Sequence, residues 1–165
     1  MKRRSFIRTG VAGVAAVGAT ALAAPAVHAA KTIRWKMTTS FPPGLPFYQS
    51  GPGSAEWIVD QIDKSTGGRL KIKLYAAGAL IPWNGGFDAV TGGSVEANLA
   101  VAYYWSGKVP ALQFFGTVPF GMTFQGQNAW YYHGGGIELW NEAYKDHGVI
   151  GMPAGNSGVQ MTGWF

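Results

Sequence analysis

Thr32-Ile33-Arg34-Trp35-Lys36-Met37-Thr38 alternates polar and apolar side chains, with Ile33, Trp35 and Met37 on one side. A period of two is the mark of a strand with two distinct faces. Leu70-Lys71-Ile72-Lys73-Leu74-Tyr75 repeats the pattern, its two lysines forming a wet face. Between these runs lies a Pro- and Gly-rich loop from Ser40 to Gly53, then Ser54, a side chain suited to cap a helix. That helix reaches Ser65, carries Trp57, Ile58 and Ile62 on one side, and is stopped by Gly67-Gly68. Strand, helix and strand in this order predict an α/β fold with right-handed crossovers and a largely parallel sheet.

The alternation of elements continues downstream. Ala76 to Gly86 reads as a loop and Phe87 to Thr91 as a short helix. Val95 to Ala102 is mostly apolar, which predicts a strand buried on both faces that delivers Tyr103-Tyr104-Trp105 at its end. Pro110 to Met122 is irregular. Helices are expected over Gln125 to His133 and Ile137 to His147, with Gly134-Gly135-Gly136 as the turn between them. Gly148 stops the second. Val149 to Met152 and Val159 to Phe165 are expected to be further strands, the last with strand character up to its final residue. The sequence is therefore read as truncated at its C-terminus.

Upstream, residues 1–29 have the three parts of an export signal. Lys2, Arg3, Arg4 and Arg8 precede an Ala/Gly-rich apolar run from Gly10 to about Ala24, and Val27-His28-Ala29 offers a cleavage site. Arg3-Arg4 followed by Ser5, Phe6, Ile7 and Arg8 resembles the twin-arginine export motif. The apolar run is too poor in strongly hydrophobic side chains, and too close to Pro25, to read as a membrane anchor. This leader also explains the formal charge of +5. Beyond it nine Lys and Arg face eight Asp and Glu, and these basic residues do not cluster along the chain. A nucleic-acid partner is therefore not expected. The absence of cysteine excludes thiol chemistry and Cys-ligated zinc.

Few residues suggest turnover. Gly155-Asn156-Ser157-Gly158 superficially resembles a nucleophile elbow, but Val159 stands where the closing glycine belongs, so a turn is expected. His133 and His147 lack metal-ligand spacing, and His147 beside Gly148 suits a helix C-terminus. Asp60, Asp63, Glu138, Glu142 and Asp146 fall on polar helix faces. What remains is aromatic and amide chemistry at strand ends, where open α/β sheets bind ligands. Phe41 and Pro42 follow the first strand, Tyr103, Tyr104 and Trp105 the third, and Asn156 and Gln160 lie in or near the last. Such groups make an apolar wall with a few directed hydrogen bonds, which suits recognition. An exported enzyme acting on a small acid in the same cleft is the alternative.

Several stretches together carry a family resemblance: Trp35-Lys36-Met37-Thr38-Thr39-Ser40-Phe41-Pro42, Tyr75-Ala76-Ala77-Gly78 with Pro82 and Asp88-Ala89-Val90, and Ala102-Tyr103-Tyr104-Trp105-Ser106-Gly107-Lys108. Val118-Pro119-Phe120-Gly121-Met122, Asn128-Ala129-Trp130 and Gly158 to Phe165 complete the set. The sequence after the leader resembles the N-terminal half of the DctP-type solute receptors of TRAP transporters, particularly the branch that binds 2-oxo acids and lactate-like hydroxy acids. The resemblance implies a periplasmic, non-enzymatic receptor of the periplasmic-binding-protein type II class. Such receptors have two α/β lobes, each a mixed, mostly parallel sheet with flanking helices. They close on a small organic acid and deliver it to a TRAP membrane permease, and some pair as homodimers.

On this reading residues 1–29 are the signal, 30–152 the first lobe, and 153–165 the start of a crossover into a truncated second lobe. The resemblance places Tyr103, Tyr104, Trp105, Asn156 and Gln160 at the ligand and makes Gln160 also a ligand of a sodium or calcium ion bound with the substrate. An amide oxygen suits a hard cation, and the amide nitrogen can donate to a carboxylate. The family's carboxylate-binding arginine and its remaining cation ligands are expected beyond Phe165.

Overall fold

A computed structural model describes residues 31–49, 51–116 and 118–156. Strands β1 (Ile33–Thr39), β2 (Leu70–Tyr75) and β3 (Ala97–Leu99) form a parallel sheet in the order β2-β1-β3. The register pairs Arg34 with Lys71 and Lys36 with Lys73 on one face, and Trp35 with Ile72 and Met37 with Leu74 on the other. Helix α1 (Ala55–Ser65) connects β1 to β2, and α2 (Gly86–Thr91) leads from β2 towards β3. The Oγ of Ser54 accepts the Trp57 amide at 3.3 Å and caps α1. Gly67 and Gly68 both adopt positive φ and reverse the chain into β2. The α/β lobe with a parallel sheet and flanking helices is thus the observed architecture.

β3 is shorter than expected. Strand pairing with β1 covers only Ala97 to Leu99, whose side chains are half-buried, and the chain turns at Ala102 into a 3-10 helix, Ala102–Trp105. A second 3-10 helix, Pro110–Phe115, lies within the stretch expected to be irregular. Helices α3 (Phe124–His133) and α4 (Gly136–Tyr144) follow, joined through Gly134 and Gly135, the latter at φ 83°. A 3-10 turn, Lys145–His147, extends α4 to Gly148 at φ 66°.

The expected strand over Val149–Met152 is not formed: no ladder bonds pair it among the described residues, and Ile150 and Met152 are exposed. The Asn141 side chain takes the place of a strand partner. Its amide donates to the Gly151 carbonyl at 3.2 Å and its oxygen accepts the Gly151 N–H at 2.9 Å. The leader and the strand expected over Val159–Phe165 lie outside the described residues.

The main core is built from helices rather than from the sheet. Phe87, Ala102, Trp105, Val109, Leu112, Phe115, Tyr131 and Tyr144 form one buried cluster, with Trp130 and Trp140 packed against it. Phe115 stacks nearly parallel on Trp130 and Trp140, with centroids 5.8 and 5.4 Å away. Leu112 is fully buried at the centre. The apolar face of β1 is covered only in part: Met37 is buried, whereas Ile33 and Trp35 stay exposed. The opposite face corrects the expectation of scattered basic residues, since the β1–β2 register brings Arg34, Lys36, Lys71 and Lys73 together. Positions far apart in sequence become neighbours because parallel pairing repeats the same alternation twice.

Candidate functional site

All three strands are parallel, so their carboxyl ends share one edge. The loops leaving that edge are tied together. Phe41 N–H donates to Thr39 Oγ1, the Phe41 carbonyl accepts from Ala77 N–H at 3.2 Å, and Ser40 Oγ donates to the Trp83 carbonyl at 2.6 Å. Thr39 and Ser40 are buried, so these bonds also satisfy polar groups removed from water. The result places Trp83, from the loop after β2, beside the segment that follows β3.

There the Trp83 and Tyr104 rings meet edge to face at 5.4 Å and 84°, and Tyr103 meets Tyr104 at 5.2 Å and 87°. Trp83, Tyr103 and Tyr104 are each exposed over more than a third of their surface. They form an open aromatic wall at the sheet edge. The Tyr104 hydroxyl has its pKa raised, first by burial and then by the neighbouring Tyr103, which keeps it a protonated donor at neutral pH.

Trp105 has a different position. Its ring is buried and stacked on Phe87 at 5.9 Å, and its indole N–H donates to the Asn84 carbonyl at 3.0 Å. It anchors the 3-10 turn that presents its two tyrosine neighbours. Gly116 backs the wall: a methyl there would stand 2.8 Å from Tyr103 Cδ1.

Asn156 is exposed and takes part in contacts of its own. It follows Gly155, where an added methyl would meet the Gly53 carbonyl oxygen at 3.3 Å. Gly53 directly precedes the cap of α1, which begins after β1 at the same edge of the sheet. Gln160 lies outside the described residues. Among the described residues no three His, Asp or Glu side chains converge as a metal cluster. An amide oxygen suits a hard cation, and Asn156 offers one.

Sequence reasoning missed Trp83 and Gly116. A tryptophan in a Pro/Asn/Gly loop carries no periodic signal, and the Ser40–Trp83 bond that positions it links residues 43 apart. Gly116 reads only as a loop glycine until the ring beside it is seen.

An α/β lobe with an open aromatic wall at its strand ends is the architecture of a small-molecule binding module. The family model for bacterial extracellular solute-binding proteins, family 7, matches residues 52–165, and the chain belongs to that family. It is 41% identical to a monocarboxylate 2-oxoacid-binding periplasmic protein of Nostoc sp., over 100% of this chain and 45% of the relative. A TRAP periplasmic solute-binding protein of Pseudoalteromonas atlantica, solved with bound sodium and pyruvate, is 38% identical with a TM-score of 0.76. It matches over 82% of this chain and 40% of that one. A counterpart from Colwellia psychrerythraea, solved with bound calcium and pyruvate, is 36% identical with a TM-score of 0.76 over 82% and 40% of the two chains. The chain thus spans less than half the length of these relatives.

Proposed function

We propose that this chain forms a ligand-binding lobe of a periplasmic receptor that delivers a 2-oxo or 2-hydroxy monocarboxylate to a TRAP-type membrane permease. The observation that carries the reading is the open wall of Trp83, Tyr103 and Tyr104 at the carboxyl edge of a parallel sheet, in a chain of the solute-binding family. The relatives solved with pyruvate together with sodium or calcium support the ligand class and a co-bound cation.

On this reading the Tyr104 hydroxyl, held protonated, donates to the ligand carboxylate, while the rings of Trp83 and Tyr103 exclude water from its apolar end. Trp105 supports the two tyrosines from below. Gln160 contacts both ligand and cation, and Asn156 contributes a second amide. The leader directs export by the twin-arginine route, which places the folded receptor in the periplasm.

Titration calorimetry with pyruvate, with and without calcium, tests these roles on the protein isolated from its host. Tyr104→Phe is expected to weaken binding about tenfold, the usual worth of a hydrogen bond to a charged group. Gln160→Ala is expected to cost at least about tenfold and to abolish the effect of calcium on affinity. Unchanged affinity in Gln160→Ala, with and without the cation, removes that residue from the site.

A further inference from the structure

The turn after β2 that carries Trp83 is held from two sides. Gly85 N–H donates to the Pro82 carbonyl at 2.9 Å and closes a turn with Trp83 and Asn84 at its centre. Such a turn uses the carbonyl of its first residue and leaves those of its central residues to find partners elsewhere. Here each takes a side-chain donor from a different element. Ser40 Oγ, just after β1, donates to the Trp83 carbonyl at 2.6 Å. The Trp105 indole N–H, in the 3-10 helix after β3, donates to the Asn84 carbonyl at 3.0 Å. Both donor residues are buried. Hydrogen bonds shielded from water are stronger, and costlier to leave unmade, than exposed ones.

Ser40 also makes a second bond. Its backbone N–H donates to the Leu99 carbonyl at 3.1 Å, at the end of β3 and shortly ahead of the 3-10 helix that carries Tyr103 and Tyr104. One buried residue therefore ties down both segments that meet in the aromatic wall. Its hydroxyl fixes the backbone under Trp83, and its amide fixes the strand that leads to Tyr104. The Trp83 ring itself is 54% exposed and meets Tyr104 edge to face. An edge-to-face pair is a weak restraint on a ring that otherwise stands in water. The direction of the Trp83 ring is thus set by the backbone beneath it, and Ser40 holds that backbone.

We propose, resting on the reading of this wall as the ligand surface, that Ser40 is a positioning residue for recognition. Buried behind the wall, its hydroxyl holds Trp83 at its angle to Tyr104. The wall then stands formed before a ligand arrives, and binding does not have to order it.

Two measurements on the protein made in its host test this. The first is titration calorimetry with pyruvate in calcium, on the unmodified protein, Ser40→Ala, Trp83→Ala and the double variant. Ser40→Ala is expected to weaken binding about fivefold on its own, but by less than about twofold in the Trp83→Ala background, where no indole is left to misplace. An equal loss in both backgrounds would mean that the hydroxyl does not act through Trp83, and no loss in either would mean that it does not act at all; each overturns the proposal. Should Ser40→Ala fail to fold by circular dichroism, Ser40→Cys, close in size and a weaker donor, is expected to give the same pattern with a loss of about threefold.

The second needs no ligand. In protein labelled with 5-fluorotryptophan, the Trp83 fluorine resonance is identified by its disappearance in Trp83→Phe. Ser40→Ala should shift or broaden that resonance more than any other tryptophan's. An unmoved Trp83 resonance, or a change spread evenly over all the tryptophans, overturns the placing of Trp83 by Ser40. Absence of pyruvate binding in the unmodified protein contradicts the ligand reading instead, and the fluorine comparison then still supports or overturns the role of Ser40 in the wall.

Discussion

Asn98 shows how closely single residues are fitted near the strand ends. Its side-chain oxygen accepts from Thr38 Oγ1 at 3.0 Å, and the same amide presses against Gly86, where a methyl would stand 2.3 Å from Asn98 Cγ. Gly86→Ala must therefore displace Asn98 and break its bond to buried Thr38. A loss of about 1–3 kcal/mol is expected from overpacking and a lost hydrogen bond. Gly107, which has open space around it and no positive φ, is the control: Gly107→Ala should stay within about 0.5 kcal/mol. Urea unfolding of the two variants separates the cases. None of this was legible in the sequence, because Gly86 appears there only as half of a Gly-Gly pair. The Tyr103-Tyr104-Trp105 triplet was legible as a cluster, but not its division into two open phenols and one buried indole. Tyr103 and Tyr104 remain exposed, while Trp105 turns onto Phe87 within the 3-10 turn.

At the scale of elements, capping and alternation give direct physical signals. Ser54, only 2% exposed, caps α1, and Ser54→Ala should cost about 1 kcal/mol by leaving the Trp57 amide without its acceptor. A thermal melt of that variant checks the value. The readings that succeeded rest on such local chemistry: the alternation of β1 and β2, the cap and glycine stop of α1, and the glycine turn between α3 and α4. Those that failed needed partners distant in sequence. Val95 to Ala102 is apolar enough for a long strand, yet β1 pairs only with Ala97 to Leu99. Val149 to Met152 is apolar enough for a strand, yet the backbone N–H and carbonyl of Gly151 bond the Asn141 side chain instead. The basic cluster was hidden for the same reason: Arg34 and Lys36 meet Lys71 and Lys73 only through the register.

For the whole molecule, three tyrosines couple stability to alkaline pH. Burial raises the pKa of Tyr104, Tyr131 and Tyr144 above the ordinary value, and Tyr131 also donates its hydroxyl to the Phe115 carbonyl at 2.8 Å. A group with a raised folded pKa holds its proton more tightly in the folded state, so its stabilising contribution is complete below the unfolded value. That contribution disappears as pH rises through the folded one. Melting temperature should therefore lose no tyrosine contribution between neutral pH and about pH 9, and fall above about pH 10. Tyr131→Phe should reduce that alkaline fall while lowering stability at neutral pH through its lost hydrogen bond.

The central claim is a lobe that recognises small acids. Its most direct test is a thermal-shift titration of the protein isolated from its host, with pyruvate and lactate in sodium, in calcium and without either. Ligands that bind only the folded state raise the melting temperature by mass action. The account predicts a rise with the 2-oxo or 2-hydroxy monocarboxylates that is larger when a cation is present. No rise with either acid under any of these conditions would contradict it.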